Sequence, residues 1–231
     1  GEPSIAEIFK DIQGRTEGII FGFYPHFPEN HITISLRGKD EPTVTNELDT
    51  VEEEIRGLMG PYIFATGTQT MEGMVGHMLL ERNLTISVAE SCTGGLIGHK
   101  LTNVPGSSKY FQGGVLSYSN ESKVDLLRVS PQTLETHGAV SDSTAREMAR
   151  GIKERIKTDL GVAVTGIAGP DGGTKEKPVG TVHIGLASGK DIFSRRYRFW
   201  GNREQVKLNT AMMALDWVRR HLNGDPFLPG I

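Results

Sequence analysis

A single cysteine, Cys92, stands in a chain of 231 residues, so no disulfide can form within it. That usage fits a reducing compartment, and the expected location is the cytoplasm. A large excess of charge of one sign is also missing. The formal net charge is −3, so no global basic field draws the chain to nucleic acid or to a membrane surface. No apolar run approaches the ~20 residues that span a bilayer. The first residues, GEPSIAEIFKDIQ, carry charges and a helical period in place of a signal-peptide core. Metal-ligand spacings are missing: there is no H-x-x-x-H and no C-x-x-C, and no cofactor is expected. Seven histidines are present, and none lies in a motif with acid partners. What remains, 37% hydrophobic and 23% charged residues, is ordinary for a globular protein with a real core.

The stretch that organises the rest is TISVAESCTGG, Thr85 to Gly95. Thr85 to Ala89 reads as a short buried strand with β-branched Thr85, Ile86 and Val88. The pattern then breaks into Glu90, Ser91, Cys92, Thr93, Gly94 and Gly95. Leu96, Ile97 and Leu101 resume as one face of a helix. In open α/β sheets ligands sit beyond the carboxyl ends of strands, where glycines admit a ligand and a helix start offers unpaired N–H groups. A plain strand-to-helix turn is the competing reading.

Before this stretch the pattern predicts a small α-β-β-α-β unit. It comprises a helix opened by Ser4 with Ile5, Ile8, Phe9 and Ile12, and a strand from Gly18 to Tyr24. A PHFPEN turn and a half-exposed strand through Ile32, Ile34 and Leu36 follow. A helix opens at Thr45 or Asn46 with Leu48, Val51, Ile55 and Leu58 on one face, and a third strand runs from Tyr62 to Ala65. The polar segment ATGTQT marks a boundary, which gives domains 1–68 and 69–231. The second part alternates strands and helices. A helix from Met71 comes first, then Gly113 to Tyr118 as a strand, Asn120 to Leu127 as a helix, and a longer helix capped by Ser141. The strand Gly161 to Thr165 precedes a Gly/Pro-rich loop to Gly180, two further strands, and a last helix from Arg203 to Leu222. The fold class is α/β: a three-layer domain with a mixed, mostly parallel sheet between helices, preceded by a small α+β domain.

Three strand ends carry unusual polar residues: Glu90-Ser91-Cys92, Tyr118-Ser119-Asn120 with Lys123 behind it, and Thr165-Gly166. A parallel arrangement brings all three to one edge. A serine needs a base to become a nucleophile, and a lysine with a lowered pKa can serve, with a tyrosine to relay or orient the proton. On spacing alone a surface helix lysine is the favoured reading of Lys123. Ser91 is outside a G-x-S-x-G elbow, because Ala89 and Thr93 take the glycine positions, which argues against an α/β-hydrolase. Cys92 is the alternative nucleophile, and a small buried residue is its plainer role. Glycines in the loop, Gly169 among them, suit an anion nest, and Arg203 at a helix start suits a phosphate or carboxylate.

AESCTGG, PGSS, FxGG, SYSNESK, GAVS, TGIAGPDGG and KPVGT occur in this order. With them the chain from about Met71 to Leu222 resembles the C-terminal domain of the CinA family of competence/damage-inducible proteins. The resemblance implies a nicotinamide mononucleotide deamidase. Such an enzyme hydrolyses the carboxamide to nicotinate mononucleotide and ammonia in pyridine nucleotide salvage. It implies Ser91 as nucleophile, Tyr118 and Lys123 as its activating pair, and Thr165 and Arg203 as pocket positions. Glu90, Thr93, Gly94, Gly95, Gly166 and Gly169 complete the expected substrate-binding set, with N–H groups near Thr93 and Gly94 holding the oxyanion. The expected partners are this small nucleotide and a second copy of the chain in a homo-oligomer, a dimer. No nucleic acid or membrane is expected. The first part resembles the KH-type middle domain of that family. Its G-x-x-G nucleic-acid loop is missing between the predicted elements, and Gly57 to Gly60 falls at a helix end. The rival function is a non-catalytic nucleotide-binding regulatory module linked to competence or DNA damage.

Overall fold

The computed structural model describes residues 9–10, 12–14, 17–38 and 40–230. The chain divides into two compact units, 1–64 and 65–231.

In the first unit β1 (Ile19–His26) and β2 (Glu29–Leu36) pair antiparallel from Ile19 with Leu36 to His26 with Glu29. Only Phe27 and Pro28 are left for the turn, so PHFPEN is narrower as a turn than its composition predicts. Alternation puts Phe21, Ile32, Ile34 and Leu36 against one core with Phe9, Ile12, Ile19, Val51 and Ile55. Ser4, Ile5 and Ile8 of the predicted first helix lie outside the described residues, while residues 9–10 and 12–14 are helical. Helix α1 (Glu41–Met59) starts earlier than Thr45 or Asn46. Asp40 caps it by accepting from Thr43 N–H at 3.0 Å, and Pro42 is tolerated in a first turn whose N–H groups need no helical partner. Leu58 is exposed and Met59 packs on the core in its place. The predicted strand Tyr62 to Ala65 does not form. Gly60–Tyr62 is a single 3₁₀ turn after the Gly60 cap, and Ile63 packs on the core without joining the sheet.

The second unit is a three-layer α/β domain. Its five strands are β3 (Ile86–Glu90), β4 (Phe111–Leu116), β5 (Leu160–Gly166), β6 (Thr181–Ser188) and β7 (Asp191–Arg198), in the order β4-β3-β5-β6-β7. β3 pairs parallel with both β4 and β5, whereas β5–β6 and β6–β7 are antiparallel. Half the ladders are therefore parallel, yet β3, β4, β5 and β7 all point the same way. Their carboxyl ends share one edge. The helices are α2 (Met71–Glu81), α3 (Leu96–Thr102), α4 (Asn120–Leu127), α5 (Pro131–His137), α6 (Asp142–Ile156) and α7 (Arg203–Asn223). The short α5 lacks any predicted counterpart, because seven residues with no buried side chain show no apolar period. The strand predicted from Gly113 to Tyr118 runs two residues earlier, which leaves Ser117 and Tyr118 beyond its end.

Helix α6 lies on one face of the sheet. Its Met148, Ala149 and Ile152 pack with Ala89, Leu127, Val129, Ala163 and Ala187. The approach is close enough that a Cβ on Gly161 would strike the Ala149 carbonyl and one on Gly185 the Ala145 carbonyl. Helices α2, α3 and α7 cover the other face. There Trp217 of α7 is fully buried, donating from Nε1 to the Tyr197 hydroxyl at 2.8 Å. Among the described residues no helix is long and apolar enough to cross a membrane.

Candidate active site

Ser91 is the first residue past β3. Its N–H donates to Val164 of β5 at 3.2 Å, extending the parallel ladder one step before the chain turns. The turn needs two residues of positive φ, and Gly94 (φ +67) and Gly95 (φ +96) supply them. Gly95 caps α3 without a side chain, so the helix start would be left with unpaired donors. The Glu90 carboxylate, 2% exposed, answers them. It accepts from Gly95 N–H at 3.0 Å, Ile97 N–H at 3.1 Å, Gly98 N–H at 2.8 Å and the Thr93 hydroxyl at 2.6 Å. A negative charge at a helix N-terminus is electrostatically favourable. Glu90 and Thr93 thus fix the loop that carries Ser91.

Lys123 comes from α4, whose first turn is capped by Ser119 accepting from Ser122 N–H at 3.1 Å. The side chain is 1% exposed and runs inward. Its Nζ lies 3.1 Å from Ser91 Oγ, 2.7 Å from the Ser117 carbonyl and 3.3 Å from the Tyr118 carbonyl. Burial lowers its pKa below the ordinary lysine value, and the nearby Cys92 opposes this in part. The two carbonyls can accept only from N–H. As an ammonium, Nζ donates to all three oxygens; once neutral it keeps two N–H groups for the carbonyls and its lone pair is left for Ser91 Oγ, an arrangement that suits a general base on a serine. The surface-lysine reading of Lys123 does not hold.

Cys92 is next to Ser91 and buried, and burial pushes its thiol up to about 12. A thiolate is the reactive form, so Cys92 is a poor nucleophile here.

A cavity of about 170 Å³ opens on this pair, lined by Ser91, Cys92, Tyr118, Lys123, Thr165 and Arg203 together with Ala139, Val140, Gly166 and Ala168. The three strand ends do converge. Thr165, 1% exposed, donates from its hydroxyl to the Ala139 carbonyl at 2.8 Å and so anchors the segment ahead of α6 as one wall. The Tyr118 phenol points elsewhere than expected. It accepts from Arg203 Nη2 at 3.1 Å, while Arg203 Nη1 donates to the Gly169 carbonyl at 2.7 Å. What Tyr118 offers Lys123 is its main-chain carbonyl.

Four of the expected substrate-binding residues, Glu90, Thr93, Gly94 and Gly95, do not line the cavity, and neither does Gly169. The Gly94 N–H is turned back onto the Ser91 carbonyl at 3.2 Å, which removes it from an oxyanion role. Two contributions were hidden from sequence reasoning. Ser117 acts through its backbone, which no side-chain pattern signals. Ala139 and Val140 are small wall residues whose trace is the segment GAVS. Among the described residues no group of three or more His, Cys, Asp or Glu side chains is arranged to hold a metal ion.

Comparison with known proteins gives the same partition of the chain. A model described as CinA C-terminal domain matches residues 68–222, and one described as damage-inducible protein CinA KH domain matches residues 1–65. A CinA-like protein of Syntrophus aciditrophicus is 46% identical over 213 residues, covering 92% of this chain and 50% of that protein. A putative competence-damage inducible protein of Clostridium novyi is 41% identical over 222 residues, with 96% and 54% covered. The chain thus spans about half the length of these curated relatives. Among solved structures, the competence/damage inducible protein CihA from Agrobacterium tumefaciens aligns with a TM-score of 0.63 at 38% identity. The alignment covers 69% of this chain and 99% of that one. A CinA superfamily protein from Klebsiella pneumoniae gives 0.65 at 31% identity, with 68% and 99% covered. With its family motifs lying along the cavity and at the turns around it, the chain belongs to the CinA family.

Proposed function

We propose that the second unit is an amidohydrolase that deamidates nicotinamide mononucleotide, and that it works through a serine–lysine pair. The observation that carries this reading is the 3.1 Å approach of a fully buried Lys123 Nζ to Ser91 Oγ. Ser91 Oγ attacks the carboxamide carbon as neutral Lys123 takes its proton, giving a tetrahedral intermediate. Lys123 returns that proton to the amide nitrogen, the C–N bond breaks, and ammonia leaves an acyl-serine ester. Lys123 then deprotonates a water that attacks the ester, and it hands the proton back to Ser91 as nicotinate mononucleotide departs. Arg203 and Tyr118 hold the cavity rim together through their mutual bond.

Released ammonia, measured with purified chain on nicotinamide mononucleotide, tests the reading. Turnover that Ser91→Ala abolishes supports it, and no ammonia from this or any pyridine carboxamide overturns it. The competence and damage wording in relatives' names favours a second reading, a nucleotide-sensing module without turnover. Under that reading the nucleotide binds and no ammonia appears.

A further inference from the structure

Among the described residues six buried side-chain polar atoms lack a hydrogen-bond partner, and five of them belong to β6 and β7: Thr181 Oγ1, His183 Nδ1, Ser194 Oγ, Arg196 Nε and Arg198 Nε. The register puts them together. Thr181 pairs with Arg198, His183 with Arg196 and Gly185 with Ser194. Directly opposed antiparallel residues share a face, so all five atoms lie on one side of the ribbon. That side faces α6, since a Cβ on Gly185 would meet the Ala145 carbonyl.

Unpaired buried polar groups are rare in native proteins and call for a partner such as water or an ion. The chemistry of this set indicates which. An arginine Nε–H can only donate, and hydroxyls and a neutral imidazole can do so as well. Such a set wants an acceptor with several lone pairs and repels a metal cation. The charge agrees. Arg196 and Arg198 bring two guanidinium groups to this face opposite His183 and Thr181, and Asp142 is the carboxylate that acts on His183. Lys177 Nζ and Arg196 Nη2 are occupied by backbone carbonyls, of His137 at 2.8 Å and Glu176 at 2.6 Å. Both are neutral acceptors that an anion's oxygens can replace. Thr181 is fully buried and His183 is 6% exposed, so these two are built into the fold, while Arg196 and Arg198 are half-buried and the Arg198 guanidinium lies over the exposed Trp200 ring at 4.1 Å.

Its position relates it to the cavity. His183 is the cross-strand partner of Thr165, which lines the cavity, and opposed side chains stand ~5 Å apart. The cavity, at about 170 Å³, is smaller than the ~300 Å³ at which pockets for small molecules begin. It has room for a ring and its carboxamide, and a phosphorylated sugar must reach beyond it.

We propose that Thr181, His183, Arg196 and Arg198 form an oxyanion subsite beside Thr165 that takes the phosphate of a phosphomonoester whose other end lies at Ser91. In assigning the phosphate to the substrate, the proposal rests on the amidohydrolase reading. The anion site itself does not.

The experiment has two arms on the full chain. In the first, inorganic phosphate is titrated into wild type, Arg196→Gln and Arg198→Gln, followed by calorimetry and thermal shift, with circular dichroism to confirm folding. Binding to wild type that weakens about tenfold or more in a folded variant, a loss typical of one charged contact, supports the subsite. Failure of wild type to bind phosphate, or equal binding by both folded variants, overturns it. Arg198→Gln carries the test if Arg196→Gln does not fold. In the second arm, kcat/KM is measured for nicotinamide mononucleotide and for the phosphate-free nicotinamide riboside. The nucleotide-to-riboside ratio should fall about tenfold in the variants through KM. An unchanged ratio overturns the link to substrate. Phosphate binding that depends on Arg196 without any turnover leaves the subsite standing and removes the amidohydrolase reading instead.

Discussion

At Lys123 one side chain settles several questions at once. Its amine is buried, held by two backbone carbonyls and set against a serine hydroxyl. Burial disfavours the charged form, so the neutral base is present at a lower pH than for a free lysine. The proposed reaction needs that neutral form. Activity should therefore fall as pH drops through the lowered lysine pKa, and the acidic limb of kcat/KM should report it. Lys123→Arg should be inactive by at least ~10³-fold, because guanidinium stays protonated and cannot accept the serine proton. Wild-type turnover in that variant would show that another group is the base. Tyr118 tests the geometry from the other side. Its phenol bonds Arg203, and its link to Lys123 runs through the backbone, which Tyr118→Phe retains. That variant should lose less than ~10-fold in kcat. A loss as large as that of Lys123→Arg would mean the phenol relays the proton after all.

Elements divide into those the sequence announces and those it hides. The turn from β3 to α3 was legible because its chemistry is local: β-branched residues, then Glu-Ser-Cys-Thr, then two glycines at positive φ. The convergence of Ser91, Tyr118, Lys123 and Thr165 followed from the expected parallel strand direction, whereas Arg203, at a helix start, was placed beside them only by the family resemblance. The role of Glu90 was hidden, since a carboxylate at a strand end reads as a ligand group until its oxygens are found on Gly95, Ile97 and Gly98 N–H. The phenol of Tyr118 and the carbonyl of Ser117 were hidden for the same reason, because spacing gives the element and leaves the orientation open. Glu90→Gln keeps the shape and replaces one acceptor by a donor facing N–H groups. It should cost about 1–3 kcal/mol of stability, read as a lower denaturant midpoint. Gly185→Ala probes the neighbouring layer. Its Cβ would meet the Ala145 carbonyl and push α6 off the sheet, so a loss of about 3 kcal/mol is expected. A denaturant midpoint equal to wild type would show that α6 can shift without penalty.

The whole molecule is two units, and every residue that lines the cavity belongs to the second. So do the unpaired donors of β6 and β7. A fragment of residues 65–231 retains Thr70, which caps α2 by accepting from Gly73 N–H at 3.1 Å. It also retains both helical layers and the complete sheet. It should fold alone and hydrolyse substrate within about threefold of the full chain, because no group in the proposed chemistry is removed. Stability of the fragment should show one pH signature of its own. Burial lowers His183 from 6.5 to about 4, so between those values the unfolded chain binds a proton that the folded chain refuses. Stability is then full above pH 6.5 and declines as pH falls toward about 4, by roughly 3 kcal/mol from this group. Phosphate bound beside His183 favours the protonated ring, so it should flatten that decline in wild type. It should do so far less in Arg196→Gln. Denaturant melts of the fragment between pH 4 and 7, with and without phosphate, read both effects. An insoluble fragment would mean the first unit is needed to complete the fold. A folded but inactive one would mean that unit supplies part of the site.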